Sequence, residues 1–150
     1  MRALRLAGPG EVGRVEEFQR AAYARTEEIV GARAIPLEWD YRAIMEECEV
    51  WLDECEGLLK GVLILRVMKD EIFLESIGTA PNVAGSGRGR VLLGATFDRA
   101  RELGLKRVGL ITNGLNPALS WYKRMGFVVD LEEAQPDRSV IHMSAAVSAV

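Results

Sequence analysis

Between residues 77 and 93 the chain reads Ile-Gly-Thr-Ala-Pro-Asn-Val-Ala-Gly-Ser-Gly-Arg-Gly-Arg-Val-Leu-Leu. An apolar run stops at Pro81, glycine takes every second position at Gly85, Gly87 and Gly89, and helical spacing follows. A loop of this kind ahead of a helix presents unpaired backbone N–H groups and the positive end of a helix dipole to an anion, usually phosphate. Glycine removes the side chains that would hold the ligand off. The backbone of Ala84, Gly85, Ser86, Gly87, Arg88, Gly89 and Arg90 is therefore the candidate anion site, to which a guanidinium of Arg88 or Arg90 could add. Consecutive helical positions differ by about 100°, so these two arginines do not point the same way. Spacing excludes two common phosphate loops. Counting Gly-x-Gly-x-x-Gly from Gly85 puts Arg90 at the last glycine, and no Gly-Lys-Ser/Thr closes a triphosphate loop.

A second segment, Asn116-Pro117-Ala118-Leu119-Ser120-Trp121-Tyr122-Lys123-Arg124-Met125-Gly126-Phe127, lies about thirty residues on. Its Asn suits a helix cap, Pro117 a first turn, and Gly126 the left-handed position that ends a helix.

In this order and separation, the two segments resemble the GCN5-related N-acetyltransferases (GNAT). That family's pyrophosphate loop reads Gln/Arg-x-x-Gly-x-Gly after a strand ending near a proline. Its helix after the fifth strand ends Tyr-x-x-x-Gly-Phe. The resemblance is specific over residues 71–130 and rests elsewhere on element order. Two positions depart from the pattern: Ala84 stands where Gln or Arg is usual, and Leu115 holds the place of an Asn seven residues before the Tyr, with Asn116 one later.

The resemblance implies acetyl-coenzyme A as cosubstrate; no metal is expected, because two cysteines and one histidine fall short of the roughly four ligands a zinc site needs. Ile77, Gly78 and Thr79 would hold the pantetheine arm and polarise the acetyl carbonyl, the glycine loop would hold the diphosphate, and Asn116 would touch the cofactor. Tyr122 would protonate the departing thiolate, a task suited to a phenol of pKa near about 10. The implied reaction is direct acetyl transfer in a ternary complex to a primary amine, on a small molecule or on a protein N-terminus or lysine. A non-catalytic acyl-coenzyme A sensor on the same fold is the alternative, and a homodimer is an assembly the resemblance leaves open.

Other residues are read from their own chemistry. Glu75 is the only ionisable group between Ile72 and Arg88. A carboxylate in a covered central strand is costly without a purpose, so it is either the base for the incoming ammonium, directly or through water, or one half of an ion pair. His142, the single histidine, sits in an alternating strand and reads first as structural. Trp39, Tyr41 and Trp51 read as packing residues, with an acceptor pocket as their other use.

Composition narrows the classes. The 150 residues are 49% apolar and 27% charged, as for one globular domain, residues 1–150, with a single substantial core. A net charge of −3 gives no reason to expect nucleic acid or an anionic membrane as partner. No signal peptide is read at the N-terminus and no run approaches the length of a membrane span, so a cytoplasmic location is expected. Cys48 and Cys55, seven apart without companions, read as structural thiols.

The elements that must position these groups follow from periodicity. A short strand over residues 2–6 precedes a helix over 11–26 and a weaker helix over 37–48. Strands over 50–53 and 58–67 flank a turn at residues 54–57, and a strand over 71–80 leads into the glycine loop. A helix over 88–103 with Leu92, Leu93, Thr96, Phe97, Ala100 and Leu103 inward, a strand over 108–112, a helix over 116–125 and strands over 127–131 and 139–144 complete the chain. The hairpins force antiparallel pairs. The expected fold is thus α/β (α+β), a mixed and mostly antiparallel sheet flanked by helices. The resemblance adds a splayed cofactor cleft between the fourth and fifth strands.

Overall fold

The computed structural model of the chain describes residues 4–31, 34–83 and 86–148. Among these, seven strands form one sheet: β1 (Leu4–Leu6), β2 (Glu49–Cys55), β3 (Leu58–Val67), β4 (Ile72–Thr79), β5 (Arg107–Asn113), β6 (Val128–Ala134) and β7 (Ser139–Ala146). Their spatial order is β1-β2-β3-β4-β5-β7-β6. Helices α1 (Val12–Val30) and α2 (Tyr41–Glu47) come before β2, α3 (Arg88–Glu102) joins β4 to β5, and α4 (Ala118–Arg124) follows β5. Every strand pair is antiparallel except β4–β5. There α3 carries the chain back across the sheet face, the crossover that a parallel neighbour requires.

Strand β3 shows how the two faces are filled. Val62 and Ile64 pack with Val15 of α1 and with Tyr41 and Ile44 of α2. Leu63 and Leu65 pack on the other face with Leu92 and Leu93 of α3 and with Leu110 and Met143. A strand covered on both sides must be apolar throughout its centre, which is why this stretch lacks alternation. β4 breaks step opposite it: Ile64 pairs with Ser76 but Leu65 pairs with Leu74, leaving Glu75 as an extra residue in a bulge.

Several boundaries differ from the expected ones. α1 continues past residue 26 to Val30, because no breaker occurs before Gly31, which takes the left-handed conformation and donates its N–H to Glu27 at 2.9 Å. The helix expected over 37–48 divides into a 3-10 segment, Ile35–Glu38, and α2, whose first turn Asp40 caps by accepting from the Arg42 N–H at 3.0 Å. The hairpin turn is only Glu56–Gly57, both at positive φ, the two-residue geometry that matches strand twist. Leu103 is largely outward at the end of α3. Residues 132–134, expected in the polar turn between the last two strands, belong to β6. β6 is the sheet edge and every residue of it is exposed, so it carries no alternation. No helix among the described residues is long and apolar enough to cross a membrane, and both cysteines are free thiols.

Candidate active site

β4 and β5 are in register only at Ile72–Val108, Phe73–Gly109 and Leu74–Leu110. Beyond Leu74 they part. β5 stays on β7 through Asn113, whereas β4 stays on β3 through Thr79. The gap is a cavity of about 230 Å³, walled by residues 74–79 of β4, residues 111–113 of β5, Asn116, Ala118 and Tyr122, and by side chains of α1 and the 3-10 segment. Glu75, Ile77, Gly78 and Thr79 of one strand meet Asn116 and Tyr122 of a segment about forty residues later here.

α4 is positioned at both ends. Asn116 Oδ1 accepts the Ala118 N–H at 2.9 Å, which satisfies one of the open donors of a helix start. The helix proper begins at Ala118, two residues later than Asn116. At the other end Gly126 has φ 100°, and the Gly126 and Phe127 N–H groups reach back to Lys123 and Tyr122 at 3.2 and 3.0 Å. That pair of bonds is the left-handed helix stop. It fixes the Tyr122 ring against Phe127, with centroids 5.5 Å apart. Burial, and then the neighbouring Tyr23 phenol, push the Tyr122 pKa well above its ordinary value, so the hydroxyl holds its proton.

The start of α3 carries the anion site. Gly87 sits at φ 86°, a conformation costly for any residue with a Cβ. The first helical bond runs from the Val91 N–H to the Gly87 carbonyl at 3.1 Å. The N–H groups of Arg88, Gly89 and Arg90 therefore precede the ladder, as phosphate recognition needs. Trp121 of α4 packs over Gly89, which joins this helix start to the helix that carries Tyr122. Ser86 and Arg90 are exposed, while Ala84 and Gly85 lie outside the described residues. Arg88, expected at the phosphate, has a protein partner. Its guanidinium is 3.4 Å from Asp53 Oδ2, a carboxylate of β2 that is 3% exposed, and it neutralises that buried charge.

Gly78 also has a neighbour that sequence reading did not anticipate. A Cβ there would collide with Oε1 of Gln19 from α1. The glycine therefore admits this helix, and the arm-holding role assigned to it would fall to its backbone alone. Gln19 is fully buried and its Nε2 donates to Ser76 Oγ at 2.9 Å. The Ser76 and Tyr23 hydroxyls are 2.6 Å apart, and the Tyr23 hydroxyl also donates to the Ile77 carbonyl at 3.3 Å. Burial pushes the Tyr23 phenol up to about 12, against the lowering effect of Ser76. Tyr23, Ser76 and Gln19 were not among the expected site residues. The available signal was polar groups on the inward stripe of α1, which need partners once buried.

Glu75 is half of an ion pair and also faces the cavity. It lines the cavity, and its Oε2 accepts from Arg66 Nε at 2.7 Å, with Arg66 also 3.2 Å from Glu47. His142 is not in the cavity wall and pairs with Glu133 across the β6–β7 ladder. Of the three candidate aromatics only Trp39 reaches the cavity. Tyr41 is buried in the α1–α2 core, and Trp51 packs beside the Arg99 guanidinium. Among the described residues no group of three or more His, Cys, Asp or Glu could hold a metal ion.

A V-shaped opening between two parallel strands, a left-handed glycine opening the next helix, and a tyrosine facing the gap define an acyltransferase-type fold. The acetyltransferase (GNAT) family model matches residues 14–127. The chain belongs to that family. Among solved structures, it is similar to nourseothricin acetyltransferase at 26% identity and TM-score 0.62, over 68% of this chain and 66% of that one. It is similar in fold to the ribosomal-protein-S18-alanine N-acetyltransferase from Escherichia coli, at 18% identity and TM-score 0.80 over 99% and 95% of the two chains. The PaiA N-acetyltransferase from Thermoplasma acidophilum, solved in complex with coenzyme A, gives 14% identity and TM-score 0.79 over 95% and 97%. No curated protein matches the chain in sequence.

Proposed function

We propose that the protein transfers the acetyl group of acetyl-coenzyme A directly to a primary amine in a ternary complex. The observation that carries this reading is the divergence of β4 and β5 after Leu74 and Leu110, with residues 75–79 and Tyr122 facing one another across the gap. The residues fit the cosubstrate. The open N–H groups at the start of α3 suit the diphosphate, and the diverging strand edges suit an arm that must hydrogen-bond as a strand would.

In this reading the amine nitrogen attacks the thioester carbonyl, forming the C–N bond. The tetrahedral intermediate then loses the surplus proton on its nitrogen to solvent and collapses with cleavage of C–S. Tyr122 gives its proton to the sulfur as negative charge builds there, and the phenol is re-protonated from solvent. The ammonium form of the amine loses its proton to Glu75 or to a water beside it, since a free amine is the nucleophile. Holding the two reactants in one cavity supplies the orientation that the reaction lacks in water.

Coenzyme A release, followed as free thiol over a panel of amines, tests the proposal. A thiol signal that needs both acetyl-coenzyme A and an amine supports it. Tight coenzyme A binding without turnover on any amine would favour the sensor reading.

A further inference from the structure

We propose that the acceptor is a small monoamine with an apolar or aromatic body; this rests on the acetyl-transfer reading above. The end of the cavity away from the β4–β5 gap is built by the last turns of α1 and by the 3-10 segment. Its walls are Thr26, Val30, Ile35, Pro36 and Trp39. They offer apolar and aromatic surface and a single hydroxyl.

Charge is the second argument. Glu75 is the only carboxylate among the described residues lining the cavity, and it is shared with Arg66. Carboxylates next to the wall in sequence are already committed. Glu27 Oε2 accepts the Ala34 N–H at 3.1 Å, and Glu38 pairs with Arg138 at 2.9 Å. One ammonium can approach Glu75, but a second would be buried with no counter-charge, which is strongly unfavourable.

Shape is the third. The Arg138–Glu38 pair ties the β6–β7 turn to the segment that carries Pro36 and Trp39. The same turn is held to the loop after β5, where the Gly114 N–H donates to the Ser139 carbonyl at 2.9 Å. The two sides are thereby bridged, whereas an extended peptide needs a groove open along its length.

The test is calorimetric titration of the whole protein, saturated with coenzyme A, with 2-phenylethylamine, putrescine and a tetrapeptide bearing a free N-terminus. The expected order places 2-phenylethylamine first by about tenfold or more, and Trp39→Ala lowers its affinity by a similar factor. Thr26→Asp, which adds a carboxylate to the wall, is expected to raise the affinity for putrescine relative to 2-phenylethylamine. Putrescine or the peptide binding tightest, no amine binding at all, or Trp39→Ala without effect each overturns the inference. Coenzyme A binding is measured separately on every variant. Its absence in the unaltered protein brings down both this inference and the acetyl-transfer reading, whereas a reversed amine order with coenzyme A bound brings down this inference alone.

Discussion

Tyr122 and Phe127 are joined twice: the Phe127 N–H donates to the Tyr122 carbonyl at 3.0 Å, and the two rings meet edge to face at 5.5 Å. The spacing Tyr-x-x-x-Gly-Phe is thus a helix stop with its usual apolar contact. The motif fixes a catalytic candidate by folding rules alone. Any residue at position 122 would be held at the same point on the cavity wall.

Tyr122→Phe keeps that backbone bond and the ring contact and deletes only the proton. Turnover should fall by roughly 10²–10⁴-fold, while the melting temperature changes little. Both are measured on one preparation. A stable variant with near-normal turnover would hand the proton to solvent.

Glu75→Gln removes the one carboxylate among the described residues of the cavity wall. An aliphatic amine has a pKa near about 10.4, so help with its proton matters most at neutral pH. The variant should lose most turnover near pH 7 and recover as pH rises. A pH–rate profile parallel to that of the parent protein would leave Glu75 only its ion pair with Arg66.

All three tyrosines of the chain are raised above the ordinary phenol range, chiefly by burial. The unfolded chain releases these protons near about pH 10, and the folded one keeps them longer, to about 12 for Tyr23. In that window the native state binds more protons, so stability is intact below it and falls as pH rises through it. Each tyrosine contributes up to about 1.4 kcal/mol per pH unit. Urea midpoints at successive alkaline pH values should decline, and more shallowly for Tyr23→Phe.

Arg88→Ala should act on stability more than on coenzyme A. Asp53, buried beneath it, loses its counter-charge, at a cost of about 1–3 kcal/mol given the half-open position of the arginine. The backbone donors of α3 remain. Adding Asp53→Asn should restore most of the loss in a denaturation series. A large fall in coenzyme A affinity at unchanged stability would return Arg88 to the phosphate site.

What was legible in the sequence was local. Gly126 declared itself as a helix stop because left-handed backbone favours glycine, and a turn at 54–57 was read, although not its narrowing to Glu56–Gly57. The strands of the β2–β3–β4 meander follow from their apolar runs. What escaped depends on registration between distant segments. The bulge at Glu75 is set by pairing with β3, and it lets Ser76 meet Gln19 and Tyr23, more than fifty residues earlier. Asp53 and Arg88 are likewise brought together by packing alone.

The three-rung contact between β4 and β5 has a mechanical meaning. It divides the sheet into β1 to β4 on one side and a triplet of β5, β7 and β6 on the other, sewn together by three rungs alone, against seven along each neighbouring seam. A bound arm lying along both edges would act as a missing strand and lock the two pieces together. Amides flanking the seam should therefore exchange with deuterium by sub-global opening in the free protein and slow selectively when coenzyme A is present.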